Sequence, residues 1–290
     1  MTVERMLPLY QGMMTTFYDH RAADVVKSES AAQRQNQPRY LSDEEKADPT
    51  RLAIPQYWVR ESLLDPDLPE WLIGFSDITS PTNERTMVPV AIPRVGAGNK
   101  LPIVIAAESH AHCLLACLAS FALDFQVRQK VGGTTLNYFL VKQFPVLPPS
   151  SFEEACAWAR EHTLSAWIAP RVAELVATAN DMTQVAEQLD IEGAPFRWNP
   201  ERRALLRAEL DAAFFHLYGL SRDDTAYVMD TFPIVKRKDE ATHGEYRTRR
   251  LILEVYDALA EAMRTGTSYQ TRLAPPERAP AEARLLGRDL

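Results

Sequence analysis

Several features that secreted and membrane proteins need are scarce or absent in this chain of 290 residues. It has only 3 cysteines, and no apolar run reaches the ~20 residues of a membrane-spanning helix. The first residues, MTVERMLPLYQGMM, have no apolar core long enough for a signal peptide. Cys113, Cys117 and Cys156 show neither metal-site nor disulfide spacing, which is typical of a reducing compartment. We therefore expect a cytoplasmic protein without membrane association.

Motifs for catalysis and cofactor binding are also missing. The chain has only 11 glycines, and VGAGNK at 95–100 matches neither GxGxxG nor a phosphate loop. His110 and His112 are two residues apart at a predicted helix start, whereas a helical metal pair needs a spacing of three or four. His216 lies among aromatic residues and is expected to pack in the core. We therefore predict no catalytic residue, no bound cofactor and no metal site in this chain.

The residues that are present indicate an α+β fold with a β-rich half followed by a mainly helical half. Residues 1–55 lack a sustained period and are expected to be an irregular linker that packs on another domain. Residues 56–150 should form a β-rich domain, and 151–272 a helical domain. The Pro-, Ala- and Arg-rich residues 273–290 are expected to be a disordered tail.

Within these regions the hydrophobic pattern predicts individual elements. Strands are expected at 71–78, 86–94, 101–107 and 134–148, and the two prolines of 86–94 place that strand at a sheet edge or at a bulge. A buried helix is expected over 110–130, and two helices over 152–181. Asn199 and Ser221 should cap helices, and Gly219 and Gly266 should end them.

Segment 126–143, QVRQKVGGTTLNYFLVKQ, is the first candidate for a binding surface. It carries Arg128, Lys130 and Lys142 without any acidic residue. The pair Gly132 and Gly133 permits a tight bend that can approach another surface closely. Its remaining hydrogen-bonding residues include Thr134 and Asn137. Cations and amides of this kind suit contacts to DNA phosphates and base edges, although a solvated turn has the same composition.

A second candidate wall of the same groove is segment 83–100, with Arg85, Arg94, Asn99 and Lys100 against Glu84. Two further basic clusters lie in the helical half, at 197–207 and 236–250. The second of these is the better candidate for backbone contacts, although either could be a solvated helix face. The formal net charge of −7 counts against DNA binding unless the cations are concentrated locally.

Four stretches resemble one protein family. They are PLYQGMMTTFYDHRAA, WLIGFSDITSPTNERTMVPVAIPRVGAGNKLPIV, LASFALDFQVRQKVGGTTLNYFLVKQFPVLPP, and the long run from FRWNPERRALL to EVYDA. They are similar to the region after the methylase core in large type IIG restriction-modification methylases and in BREX- and DISARM-like phage-defence methyltransferases. The run RQKVGGTTLNYFLVKQFPVLPP is the most specific part of this resemblance.

The resemblance implies that the chain is the target-recognition part of an adenine-N6 DNA methyltransferase, with double-stranded DNA and a methylase core domain or subunit as partners. Arg128, Lys130, Gly132, Gly133, Thr134, Asn137 and Lys142 fall on the family's Gly-Gly motif, and Arg85, Arg94, Asn99 and Lys100 on its ERT…PR…GN motif. The core's Asn/Asp-Pro-Pro-aromatic loop is missing. S-adenosylmethionine is therefore expected in an upstream domain, and the chain alone should not transfer methyl groups. The alternatives are a helical scaffold of a defence complex and a non-functional fragment of a truncated gene.

Overall fold

The computed structural model describes residues 4–28, 36–106 and 108–279. The chain is α+β, with 45% helix and 17% strand, as the sequence predicts. The predicted tail falls largely outside the described residues. Its first part, 273–279, lies against the helical half: Phe196 bridges Arg278, and Ala279 is buried.

The first 55 residues are not an irregular linker. They contain β1 (Met6–Tyr10), β2 (Ala23–Lys27), β3 (Asn36–Tyr40) and α1 (Asp43–Ala47). The fully buried Arg21 donates to the carbonyls of Lys46, Asp48, Arg51 and Thr178. Because Thr178 belongs to the helical half, this segment packs on its own chain. Short strands and a shared core explain why no period is visible in its sequence.

A small antiparallel sheet forms the centre of the predicted β-rich half. After β4 (Trp58–Arg60), which pairs with β1, come β5 (Trp71–Phe75), β6 (Pro89–Pro93), β7 (Gly96–Ala97) and β8 (Ile103–Val104). The sheet order is β6-β5-β8, and β7 pairs with β1 in parallel. The prolines of β6 therefore lie on an edge strand, as predicted. The predicted strand 101–107 shrinks to the two residues of β8.

Two helices follow, α2 (Ala111–Ala119) and α3 (Phe121–Lys130). A single helical turn, α4 (Tyr138–Val141), comes next, where the sequence predicts a strand. Ser120 divides the predicted helix 110–130 because its hydroxyl accepts from Leu123 N and caps α3. The strand predicted at 134–148 is wrong. The Asn137 side chain caps α4 instead, and Pro145 and Pro148 lack the N–H groups that a ladder needs.

The helical half begins with a hairpin that the sequence prediction missed. Strands β9 (Ala155–Cys156) and β10 (Ala159–Thr163) precede α5 (Leu164–Val176) and α6 (Thr183–Gln188). The prediction of two helices over 152–181 is therefore only half right. The hairpin depends on Trp158, which is 2% exposed and packs edge-to-face on Trp167. Pro170 lies inside α5 without ending it.

The chain ends in four helices, three of which have a cap or an end that the sequence predicts. They are α7 (Pro200–Leu217), α8 (Arg222–Asp230), α9 (Pro233–His243) and α10 (Arg247–Thr265). Asn199 and Ser221 cap α7 and α8, while Gly219 and Gly266 take the left-handed conformation just after α7 and α10. One hydrophobic cluster joins both halves of the chain, from Tyr18 and Ile73 to Leu259.

Among the described helices, no single one has the length and apolarity to cross a membrane. The consecutive helices α2 and α3 reach that length and apolarity only when they are taken together, and the chain bends by 66° between them.

Candidate nucleic-acid interface

The paired glycines form an exposed bend that is held at both ends. Val131 and Leu136 are buried, whereas residues 132–135 between them are exposed. Thr134 O accepts from Thr79 N at 3.0 Å, and Asp77 O accepts from Leu136 N at 2.7 Å. The bend therefore projects from the protein on a fixed base that includes the residues after β5.

The glycines themselves do not adopt the left-handed backbone conformation that favours glycine. Neither Gly132 nor Gly133 has a positive φ, and a Cβ added to either meets no atom within 4 Å. The bend does not need glycine for its own geometry. What the missing side chains provide is open space in front of the backbone, as a close approach to another surface requires.

Two predicted cations accompany the bend without a protein partner. The Lys130 and Lys142 side chains are exposed, and neither has an ion pair or hydrogen bond within the described part of the chain. Lys130 ends α3, and Lys142 follows α4 directly. Because both charges are uncompensated, they remain available for an external anion.

The 83–100 segment reaches this surface at one end only. The Lys100 ammonium lies 3.1 Å from an Asp77 carboxylate oxygen, and the Asp77 carbonyl holds the bend. Lys100 and exposed Asn99 are therefore beside the bend, with the Lys100 charge balanced. Arg94 follows the last residue of β6, at the end of the strand that lies away from the bend, and donates to the Asp65 and Pro66 carbonyls. It does not belong to this surface.

Arg85 and Arg128 are not surface cations, which corrects the sequence prediction for both. Arg85 is 8% exposed, donates to Asp124 at 3.0 Å and stacks 3.8 Å from the Phe121 ring centroid. Arg128 donates to the carbonyls of Asn83, Glu84 and Thr231. Their guanidinium groups hold loops together in the interior, so they are not free to bind phosphate.

Sequence reasoning missed two exposed aromatic residues next to the bend. Tyr138 is 50% exposed and Phe139 is 73% exposed. The Tyr138 hydroxyl is held by the backbone of Ile103, donating to its carbonyl and accepting from its N–H. Asn137, a residue type that often caps helices, directly precedes both aromatic residues and could have indicated a helical turn that exposes them. The strand predicted at 134–148 would instead have buried one of the two side chains. We call this region the bend surface. It consists of Lys130, 132–135, 137–139 and Lys142, together with Asn99, Lys100 and the exposed Ile78, whose backbone pairs with Thr135.

The basic clusters of the helical half are largely neutralised. Arg202 pairs with Glu174, Arg247 with Glu201, Arg249 with Asp230, and Arg250 with Glu245 and Glu254. The sequence ranked the 236–250 cluster as the better candidate for backbone contacts. Its carboxylate partners make most of it a network of protein ion pairs instead, and Arg237 is its one cation without a partner among the described residues.

The histidine and cysteine residues of α2 form a buried polar cluster. His112 Nε2 is 3.0 Å from Ser165 Oγ and 3.2 Å from Cys113 Sγ. Burial lowers the pKa of His112 to about 4 and raises the pKa of Cys113 to about 12. Both groups are neutral near pH 7 and closed to solvent, so His112 lies in the core and not in a solvated turn. Among the described residues no group of His, Cys, Asp and Glu is arranged to hold a metal ion.

Comparison with protein-family models, with curated proteins and with solved structures finds no match to this chain.

Proposed function

We propose that the chain is the DNA sequence-recognition part of a site-specific adenine-N6 DNA methyltransferase of a restriction-modification or phage-defence system. The observation that carries the DNA-binding part is the exposed bend with its two uncompensated lysines. The assignment to a methyltransferase rests on the sequence resemblance of the same motif. In this proposal a methylase core in another domain or subunit binds S-adenosylmethionine and methylates the base.

The bend surface has the chemistry that such contacts use. Lys130 and Lys142 would neutralise phosphates, and the hydroxyl and amide groups of Thr134 and Asn99 would donate to phosphate or base edges. The exposed ring of Phe139 could pack against sugars or enter a base step, as apolar wedges do in duplexes that are bent on binding. Arg85, Arg94 and Arg128 are left out because the fold engages them elsewhere.

The test is a salt titration of duplex DNA binding by the full chain. The double variant Lys130→Ala/Lys142→Ala should bind more weakly and lower the slope of log K against log salt by about 0.9 for each lost phosphate contact. The matched control removes two exposed cations of other elements, Lys27 of β2 and Arg160 of β10, with Lys27→Ala/Arg160→Ala. An unchanged affinity and slope in the Lys130/Lys142 variant would show that the bend does not bind DNA.

A second candidate function is a protein-binding scaffold, favoured by large apolar side chains exposed on or beside the N-terminal strands. Tyr40 is 71% exposed, Trp58 54% and Leu63 74%. Together with the net charge of −7, these exposed side chains suit a protein partner better than a polyanion. A gel shift with mixed-sequence duplex at low salt separates the two functions, since a scaffold should give no shifted band.

A further inference from the structure

A cavity of about 430 Å³ lies between five helices, and no residue of the bend surface lines it. The α2–α3 junction, α7, α9 and α10 form its walls, with Phe17 and Tyr18 from the N-terminal segment. This volume falls within the usual range of small-molecule sites, about 300–1,000 Å³. The site is independent of the DNA-recognition proposal.

Most charges around the cavity are already balanced. Lys238 pairs with Glu84, and Arg247 pairs with Glu201. Asp239 accepts from the Thr248 N–H. These pairs satisfy the polar groups of the α9 and α10 walls.

Arg207 is the exception. Its side chain lines the cavity, is exposed, and has no ion pair or hydrogen bond among the described residues. A solvent-accessible guanidinium inside a concave site can bind an anion without first breaking an ion pair within the protein.

The nearest carboxylate on the same helix does not fill this role. Asp211 lies one turn beyond Arg207 on α7 and is 7% exposed. It accepts from the Phe121 N–H at 2.8 Å, at the first residue of α3. No ion pair joins Asp211 to Arg207 within the described residues. The five donors of the Arg207 guanidinium therefore remain open to a ligand.

Between its charged groups the cavity wall also has apolar and aromatic parts. Phe17 and Phe121 both pack on the Arg85 guanidinium, with ring centroids 4.7 and 3.8 Å from its central carbon. Ala204 and Ala208 line the α7 wall, and Leu251 contributes from α10. These apolar parts can contact the hydrophobic body of an organic ligand, which a bare inorganic ion lacks.

We propose that this cavity binds a small organic anion whose phosphate or carboxylate group pairs with Arg207 and whose apolar body packs against the alanines and aromatic rings. Arginine matches either acid group with two parallel hydrogen bonds. The class of ligand is therefore an aromatic or otherwise flat monophosphate or carboxylate.

The test uses phenyl phosphate as the probe, with inorganic phosphate and phenol as its separate halves. Isothermal titration and thermal unfolding of the full chain should show phenyl phosphate binding more tightly than either half and raising Tm. Arg207→Gln should lose about tenfold or more in affinity. Its Tm without ligand should be nearly unchanged, since the exposed Arg207 side chain has no partner among the described residues. The matched control is Arg160→Gln on the exposed face of β10, which should bind as the parent does.

A second variant leaves the charge in place. Ala204→Leu fills part of the cavity and should abolish binding of phenyl phosphate while Arg207 remains. The proposal is overturned by an absence of binding to the parent chain, by equal affinity for phenyl phosphate and inorganic phosphate, or by unchanged affinity in Arg207→Gln. If Arg207→Gln does not fold, retention of binding by folded Ala204→Leu overturns it.

Discussion

The bend surface and the buried centre around Asp124 draw their cations from the same stretch of sequence. Arg128 and Lys130 are two residues apart on α3, so the helix turns their side chains about 200° away from each other. Arg128 points inward to three carbonyls and the Phe232 ring, whereas Lys130 points to solvent. A charge count over the segment gives both residues equal weight. Only the cation without a protein partner remains available to DNA.

The buried centre has one carboxylate with several donors. Asp124 is 0% exposed and accepts from the Arg85 guanidinium and from the backbone N–H groups of Thr86 and Met87. It thereby fixes the segment before β6 onto α3. The bend surface has no comparable anion apart from Asp77, which partners Lys100. The comparison predicts that changes at the centre act on stability and changes at the bend act on binding.

The largest effect is expected at Asp124. Asp124→Ala leaves Arg85 buried without its counter-ion, so the free energy of unfolding should fall by about 3–5 kcal/mol in urea titrations. Glu261→Ala is the control, because its partner Arg264 is exposed and the loss of this solvated ion pair should be much smaller. A loss at Asp124 no larger than the control's would mean that the centre does not hold the fold together.

An intermediate effect separates the two cations of α3. Arg128→Ala should lower the free energy of unfolding by about 2 kcal/mol, because three carbonyls lose a charged donor. Lys130→Ala should change it by less than about 0.5 kcal/mol and should weaken DNA binding instead. Chemical unfolding measures the stability of both variants, and filter binding measures their affinity for DNA. Equal stability losses in the two variants would contradict the assignment of Arg128 to the interior and of Lys130 to the bend surface.

The smallest effect concerns glycine. Gly133→Ala should be neutral or stabilise the chain by about 0.4–1 kcal/mol, since its position is open and its φ is not positive. Gly266→Ala should cost about 1–2 kcal/mol, because Gly266 ends α10 with φ +72°. Comparing thermal unfolding of the two variants tests this ordering. Weaker DNA binding by stable Gly133→Ala would strengthen the view that the bend approaches a surface closely.

The sequence by itself determined the features that depend on a few neighbouring residues. The caps at Asn199 and Ser221, the helix ends at Gly219 and Gly266, and the edge position of β6 were all predicted correctly. Each depends on a hydrogen bond or steric restriction within about four residues, which the local sequence contains. The order of a β-rich part before a helical part follows from the same local patterns.

Tertiary structure alone decided which side chains are free. Arg85 meets Asp124 across 39 residues, and Arg21 meets the Thr178 carbonyl across 157. The hairpin at β9 and β10, the helical turn at α4 and the unpaired Arg207 likewise depend on packing between distant segments. A charge is neutralised by whatever group folding brings within a few ångströms, and the spacing of residues along the chain does not contain that distance.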